Sequence, residues 1–270
     1  MVELSNHTRL MNLIINLSTK NRLCEPILYK NNYVLDTIEL KFNKLDGKEI
    51  SADILLKNTQ LNNLFFVECK DGGLELDQAN RYESMTKEDI ANAKIATLNG
   101  DVNHEIAYIG TETKKDKLIS DIEKNSFNFP ILVDKGSKIA LEYNKFNCEL
   151  LEKIFTNNGG VDVQNFSIFQ YPFGKDDSDA HILSRLVPAL LKYMAIGEEF
   201  DPEDLLRETH PLFEYVDRPS TKELVGKIAR IIDKLSKNEL NGFFMVASNK
   251  RFKLKNRGEI GFKNKLIKCI

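Results

Sequence analysis

The chain has 270 residues, a formal net charge of −2 and a hydrophobic fraction of 42%, values typical of a soluble globular protein with one large domain or two modest ones. No apolar run approaches the roughly 18 residues that a membrane helix needs. The N-terminus lacks the pattern of a signal peptide, so we expect a cytoplasmic protein with no membrane partner. The four cysteines lie far apart, which argues against a disulfide framework, a zinc ribbon and an iron–sulfur cluster.

The first 145 residues predict a mixture of helices and strands. Residues 6–20 carry apolar side chains at helical spacing, and residues 33–42 and 49–57 alternate as strands do. A short apolar run, 64–70, predicts a third strand, joined to the second by a polar connection. The remaining predictions are a helix over 74–85, a strand over 105–110, a helix over 115–124 and a hairpin over 130–143. This order predicts an α/β domain, in which helices pack against a central mixed sheet.

The C-terminal part is predicted to be mostly helical. Helices are expected over 181–194, 202–215 and 221–235, followed by strands over 242–247 and 251–255. Two or more helices followed by a basic hairpin are typical of a winged-helix domain. We therefore predict one domain over residues 1–160 and a helical, winged-helix-like domain over residues 176–270.

Charge is distributed unevenly along the chain. Residues 218–270 contain 14 Lys+Arg and 4 Asp+Glu, a net of +10, and the other 217 residues contain 24 and 36, a net of −12. Such asymmetry favours a polyanionic partner for the C-terminal part. The alternative is a lysine-rich surface that simply faces solvent.

Two acids and a lysine are the strongest candidates for catalysis. If residues 49–57 form a strand, Asp53 lies on its less apolar side, and in the next strand Glu68 and Lys70 share one face. Pairing of the two strands would bring Asp53 towards Glu68. Burying such charges without partners is costly, and two carboxylates are hard oxygen ligands suited to Mg²⁺. A metal ion there would polarise a phosphodiester and activate water, with Lys70 orienting or deprotonating that water and offsetting charge.

Gln78 and Tyr82 are one turn apart in the helix predicted to follow this strand, and therefore lie on one face of it. They are candidates to hydrogen-bond the lysine or a bound nucleic acid. The alternative is that both are surface residues of an amphipathic helix.

Asp53, Glu68-Cys69-Lys70 and Gln78-Ala-Asn-Arg-Tyr82 together resemble the PD-(D/E)xK, or restriction endonuclease-like, nuclease superfamily in its version with a trailing QxxxY motif. The resemblance covers residues 6–110, whose predicted order of helix, three strands, helix and strand is the order of the family core. It implies that Asp53 and Glu68 bind Mg²⁺ or Mn²⁺, with the backbone carbonyl of Cys69 as a further ligand. It also implies that Lys70 activates water and that Gln78 and Tyr82 support the site and contact nucleic acid.

The chain departs from this family at two points. Alanine, not proline, precedes Asp53, and the acid that many members carry on the first helix has no clear counterpart, since only Glu3 and Glu25 lie near that helix.

The basic hairpin near the C-terminus, with Lys250, Arg251 and Lys253, is a candidate for contacts with the phosphate backbone. The alternative is an edge strand whose lysines prevent aggregation.

The expected function is therefore Mg²⁺-dependent hydrolysis of phosphodiester bonds, most simply by a DNA endonuclease of restriction, anti-phage defence or mobile-element processing. Its expected partner is nucleic acid, with a homodimer or a protein partner also consistent. One alternative is a nuclease-like subunit that has lost activity and binds nucleic acid or assembles a complex. Another is an accidental motif match, which predicts Asp53 and Glu68 on separate surfaces.

Overall fold

The structure is a computed structural model that describes residues 4–20, 25–95, 101–163, 170–238, 240–246, 251–255 and 259–269. These residues form two compact units. The first contains the described residues between 9 and 163 together with Tyr215–Asp217. The second contains residues 4–8, residues 170–214 and the described residues from Arg218 onward.

The first unit is built on a mixed sheet. Its elements in chain order are α1 (Asn6–Ser18), α2 (Ile27–Lys30), β1 (Val34–Asn43), β2 (Glu49–Asn58), β3 (Asn63–Lys70), α3 (Leu76–Glu83), α4 (Lys87–Ala93), β4 (Asn103–Thr111), α5 (Lys115–Lys124), β5 (Ile131–Asp134), β6 (Lys138–Tyr143), α6 (Glu149–Thr156) and β7 (Val161–Asp162). The seven strands lie side by side in sequence order. β3, β4 and β5 are parallel, whereas the β1–β2, β2–β3, β5–β6 and β6–β7 pairs are antiparallel.

Strand β3 lies inside the sheet, between β2 and β4, and is buried along its whole length. A strand that is covered on both faces typically has a continuous run of apolar residues in its sequence. This explains the sequence Leu-Phe-Phe-Val over residues 64–67. On one face it packs into a core with α3 and α5, to which Ala79, Tyr82, Leu118 and Ile122 contribute. The expected α/β fold, with a mixed sheet flanked by helices, is confirmed.

Three helices of this unit have no counterpart among the sequence predictions. The helix expected over 74–85 ends at Glu83, and α4 starts only four residues later. A capping box starts α4, because the Thr86 side chain accepts from the Asp89 backbone and Asp89 accepts in return from Thr86. This signal marks a new helix start, and the sequence interpretation missed it. The other two such helices are the four-residue α2 and α6.

Gly160 occupies the turn before β7. Its backbone conformation, φ 111° and ψ −174°, is one that residues with a side chain rarely adopt. An added Cβ would collide with the carbonyl oxygen of Ile139 and lie 2.9 Å from Ala140 Cβ. We expect Gly160→Ala to lower the free energy of unfolding by about 3 kcal/mol, measured by urea denaturation.

A matched control separates collision from backbone strain. Gly136 also has a positive φ, 85°, but its Cβ would meet nothing within 4 Å. Gly136→Ala should therefore cost only about 1 kcal/mol. Equal losses in the two variants would show that the crowding at Gly160 does not matter.

The second unit is mostly helical. Its named elements are α7 (Asp179–Ile196), β8 (Glu199–Phe200), α8 (Pro202–Thr209), α9 (Arg218–Lys237), β9 (Phe244–Val246), β10 (Phe252–Leu254) and α10 (Glu259–Ile267). The three short strands form an antiparallel sheet in the order β8-β10-β9.

The helix predicted over 202–215 is too long, because α8 ends at Thr209. His210 precedes Pro211, and a residue before proline is disfavoured in the helical conformation. The two-residue strand β8 gave no recognisable alternation, and it was not predicted.

Candidate active site

Pairing of β2 with β3 brings Asp53 beside Glu68. The register runs from Asn58↔Asn63 to Ile54↔Val67, so Asp53 and Glu68 lie one step beyond the last pair. Asp53 Oδ2 accepts a hydrogen bond of 2.6 Å from the backbone N–H of Cys69. Asp53 and Glu68 therefore do not lie on separate surfaces, as the accidental-match alternative predicts.

Glu68 is almost fully buried, with 5% of its surface exposed, and both of its carboxylate oxygens accept hydrogen bonds. Oε1 accepts from Gln78 Nε2 at 2.9 Å and lies 3.0 Å from Lys70 Nζ. Oε2 accepts from the Tyr82 hydroxyl at 2.8 Å. These contacts hold the carboxylate in one orientation, which a metal ligand or a charged catalytic group requires.

Burial raises the pKa of Glu68 to about 7, and repulsion by the Asp53 carboxylate adds to that rise. The Lys70 ammonium and the Tyr82 hydroxyl act in the opposite direction. The buried Glu68 carboxylate therefore has too little positive charge around it to ionise easily.

Lys70 donates all three of its protons within the site. Its ammonium contacts Glu68, donates to Gln78 Oε1 at 2.8 Å and donates to Glu75 Oε1 at 2.8 Å. Burial alone would lower the pKa of Lys70, but attraction by Glu68 and the hydrogen bonds to Glu75 and Glu68 outweigh it, and the pKa is raised. Without a bound metal ion, Lys70 therefore carries a positive charge at neutral pH.

The helix α3 supplies the support for this cluster. Gln78 and Tyr82, one turn apart, both face the sheet and are 7% and 2% exposed, so the expectation of a surface position is wrong. Gln78 Nε2 also donates to the Ser51 carbonyl at 3.0 Å, and the Tyr82 hydroxyl lies within hydrogen-bond distance of the same carbonyl. The helix is thus tied to both β2 and the carboxylate of Glu68.

The loop from β3 to α3 is fixed on α5. The N–H of Leu74 donates to Asp121 Oδ2 at 3.0 Å. A Cβ on Gly73 would lie 2.5 Å from that oxygen and 2.7 Å from Lys117 Cε. A side chain at residue 73 would require the ends of the Asp121 and Lys117 side chains to shift, and the Leu74–Asp121 hydrogen bond holds the loop that carries Glu75 against α5.

Three groups of this site were not predicted. They are the Ser51 carbonyl, the Glu75 carboxylate and Tyr108. Tyr108 pairs with Glu68 across the parallel β3–β4 ladder, so both side chains project from the same face. Its ring lies 6.3 Å from that of Tyr82, and its buried hydroxyl has no hydrogen-bond partner among the described residues. Only the strand register identifies it, and the sequence carries no signal for that.

The donor chemistry of the site fits a hard divalent cation. Asp53 and Glu68 offer carboxylate oxygens, and the pKa of Glu68 indicates a local shortage of positive charge that such an ion would supply. The side chain of Cys69 is buried, which leaves its backbone carbonyl as the group that the family resemblance implies. Among the described residues, no group of three or more Asp, Glu, His or Cys side chains is placed to hold a metal ion.

The predicted first-helix acid stays unassigned. Glu3 lies outside the described residues. Glu25 is exposed and lines a different cavity with Leu17 and Lys153.

The residues of the basic hairpin belong to the second unit. Lys250 lies outside the described residues, and Lys253 is half-buried in β10. Arg251 contacts three carboxylates: its guanidinium lies 2.8 Å from Asp204, 3.3 Å from Asp201 and 4.0 Å from Glu199. Its charge is therefore compensated within the unit.

Comparison with known families identifies the region that contains this site. A family model, described as the MJECL32 domain, matches residues 6–166, more than half of the chain. The protein belongs to the MJECL32 domain family. Searches of curated proteins and of solved structures gave no match.

The MJECL32 match contains every residue of the site from Ser51 to Tyr108 and ends before the second unit's α7. The site therefore lies wholly within the matched region. In the part of the chain that the structure describes, no helix is both long and apolar enough to cross a bilayer.

Proposed function

We propose that the MJECL32 domain of this protein is a metal-dependent nuclease of the PD-(D/E)xK type. The observation that carries the proposal is the convergence of Asp53, Glu68 and Lys70 on one buried cluster. A further support is that Gln78 and Tyr82 hold the same carboxylate. Paired carboxylates are suited to holding Mg²⁺ or Mn²⁺, and a neighbouring ammonium can offset charge on a phosphodiester.

Asp53 and Glu68 would hold the ion, with the Cys69 carbonyl as a further ligand. When bound, the ion would polarise the phosphodiester and lower the pKa of a coordinated water. The protein itself supplies orientation, because Gln78 and Tyr82 fix Glu68 before any ligand arrives. Fixed dipoles and charges of this kind lower the barrier without reorganisation during the reaction.

The charge of Lys70 supports one of its two expected roles over the other. Its raised pKa keeps the ammonium protonated, which suits charge compensation on the phosphoryl oxygens better than removal of a proton from water. Glu75, one of its three acceptors, is exposed over 72% of its side chain. A substrate phosphate can replace this carboxylate on Lys70 without disturbing Glu68 or Gln78.

We also propose a restriction endonuclease-like core for the first unit and a winged helix for the second. The helix–strand–helix–helix–strand–strand order of α7, β8, α8, α9, β9 and β10, with the strand order β8-β10-β9, supports the latter. The net charge of +10 over residues 218–270 supports DNA as the substrate. A DNA endonuclease of restriction, defence or mobile-element processing, acting as a homodimer or with a partner protein, fits this combination.

The test is cleavage of supercoiled plasmid and of single-stranded DNA by the purified chain with Mg²⁺ or Mn²⁺. We expect cutting that EDTA abolishes and that Asp53→Asn reduces at least 10²-fold. Asp36→Asn is the matched control, because Asp36 lies on the neighbouring strand β1 and pairs with Lys57. No cutting of either substrate by folded wild-type protein would refute the nuclease.

A second candidate function is a nuclease-like subunit that binds nucleic acid without cutting it. It is favoured by the full engagement of Glu68, whose two oxygens already accept hydrogen bonds from Gln78 and Tyr82. Titration with Mn²⁺ separates the two candidates. Binding that raises the unfolding temperature of the wild type and not of Asp53→Asn supports the nuclease, and no response supports the binding subunit.

A further inference from the structure

A cleft of about 470 Å³ lies between the segment 175–176 and the helix α9 in the second unit. It is lined by Lys175, Asp176, Lys222, Glu223, Gly226, Lys227 and Arg230. Four of these seven residues are cations and two are carboxylates, a net charge of +2. The cleft is far more basic than the chain as a whole, which has a net charge of −2.

The helix α9 directs its basic residues into this cleft by its periodicity. Leu224, Ile228 and Ile231 are buried and fix the helix on the core of its unit. Lys222, Gly226 and Arg230 are spaced by four and lie exposed on the opposite side.

The cations are only partly compensated by acids. Glu223 lies 3.8 Å from Lys175. Lys227 donates to the backbone carbonyls of Lys175, at 2.6 Å, and of Asp177. These acceptors are uncharged, so they fix the Lys227 ammonium at the base of the cleft and leave its positive charge in place.

Gly226 is the second observation that points to a ligand. Glycine is among the poorest helix formers, and here it stands inside a 20-residue helix with φ in the ordinary range. A Cβ would meet nothing within 4 Å, so neither packing nor backbone conformation requires glycine. Because Gly226 has no side chain, a ligand can approach the helix backbone closely between Lys222 and Arg230.

We propose that this cleft binds the phosphate backbone of nucleic acid, with Lys222 and Arg230 on the phosphates and Gly226 giving them room to approach the helix. The identification of the bound polymer as nucleic acid rests on the proposed function. It moves the main contact from the basic hairpin to α9, because Arg251 of the hairpin is already held by Glu199, Asp201 and Asp204.

The test is fluorescence polarisation of a labelled DNA duplex of about 20 base pairs, roughly two helical turns, with the full chain in EDTA over a range of salt. We expect the double variant Lys222→Ala/Arg230→Ala to weaken binding about tenfold or more. The slope of log K against log salt should fall by about 2, one for each lost phosphate contact.

The variant Gly226→Ala separates a role in DNA binding from a role in folding, because the two properties should change in opposite directions. Alanine should raise the unfolding midpoint, since it is the better helix former and has free space. The same variant should weaken DNA binding about fivefold, because the methyl group occupies the approach to the phosphate. A higher unfolding midpoint with unchanged DNA binding would contradict the proposed role of Gly226.

Lys192→Ala is the control, because Lys192 is an exposed lysine of α7 in the same unit and pairs with Glu208. It should bind DNA as the wild type does. If the double variant binds normally while Lys253→Ala does not, the hairpin is the contact surface and the proposal is overturned. Failure of the wild type to bind duplex or single-stranded DNA also overturns it.

Because binding is measured without metal, the outcome is separate from that of the cleavage assay. A chain that cuts DNA but whose cleft variants bind normally refutes the cleft alone. A chain that binds through the cleft and never cuts refutes the nuclease alone.

Discussion

Replacing Lys70 with methionine should reduce metal-dependent cleavage about 10³-fold while the fold is retained. Methionine keeps the length and the apolar stem of lysine but removes the ammonium that contacts Glu68, Gln78 and Glu75. The reason for the loss is that the Lys70 ammonium no longer offsets charge on the phosphoryl oxygens beside the metal ion, and such groups contribute roughly 10²- to 10⁴-fold. Initial rates on supercoiled plasmid with Mg²⁺ or Mn²⁺ measure the effect.

The matched control is Lys57→Met on the adjacent strand β2. Lys57 pairs with Asp36 at 2.6 Å and is half-buried, so the control also removes a sheet lysine from an ion pair. Its cleavage rate should stay within about threefold of the wild type. If Lys70→Met does not fold, Lys70→Gln is used in its place, because glutamine keeps a hydrogen-bond donor at this position. A wild-type rate in either folded variant would remove Lys70 from the reaction.

Glu68→Gln should abolish cleavage and at the same time remove a pH-dependent loss of stability. The unfolded chain releases the Glu68 proton near the ordinary glutamate pKa of 4.5, whereas the folded chain keeps it until about pH 7. Between these values the folded state holds more protons than the unfolded state, so stability falls as pH rises. The loss amounts to about 3 kcal/mol and persists above pH 7.

Urea denaturation of metal-free protein at pH 5 and pH 8 measures this effect. The free energy of unfolding of the wild type should fall relative to that of Glu68→Gln between the two pH values. Mn²⁺ should then restore stability to the wild type, because an ion that binds only the folded state stabilises it. The variant should not respond.

Glu105→Gln is the control for Glu68→Gln. Glu105 lies on the neighbouring strand β4, is also buried, and burial raises its pKa as well. Its replacement should leave both cleavage and the response to Mn²⁺ intact. If Glu68→Gln and the wild type show the same pH dependence, Glu68 is not the strained carboxylate that its surroundings indicate.

The elements that position this site were predictable because their signals are local. Alternation over residues 49–57 and the apolar run before Glu68 predict two strands, and the structure has β2 and β3 there. The close approach of Asp53 to Glu68 follows from pairing these strands as a hairpin. The one-turn spacing of Gln78 and Tyr82 predicted a common face, although not that this face is buried.

The remaining features depend on contacts between distant parts of the chain, which spacing does not encode. Tyr108 lies beside Glu68 because β3 and β4 are parallel in one particular register. The Ser51 carbonyl accepts from Gln78 because α3 crosses β2 at that residue. The compensation of Arg251 by Asp201 and Asp204, at the start of α8, likewise depends on the pairing of β10 with β8, a strand of only two residues with no recognisable sequence pattern.

The loop at Gly73 connects the site to α5, a helix that carries none of the proposed catalytic groups. Lys117 and Asp121 of α5 fill the space that a side chain on Gly73 would need, and Asp121 holds the next N–H. The loop between β3 and α3 is therefore joined to α5 by a hydrogen bond and by close contacts. A partner that displaces α5 through its exposed first turn would shift Glu75 on Lys70, and occupancy of the site would in turn alter affinity for that partner.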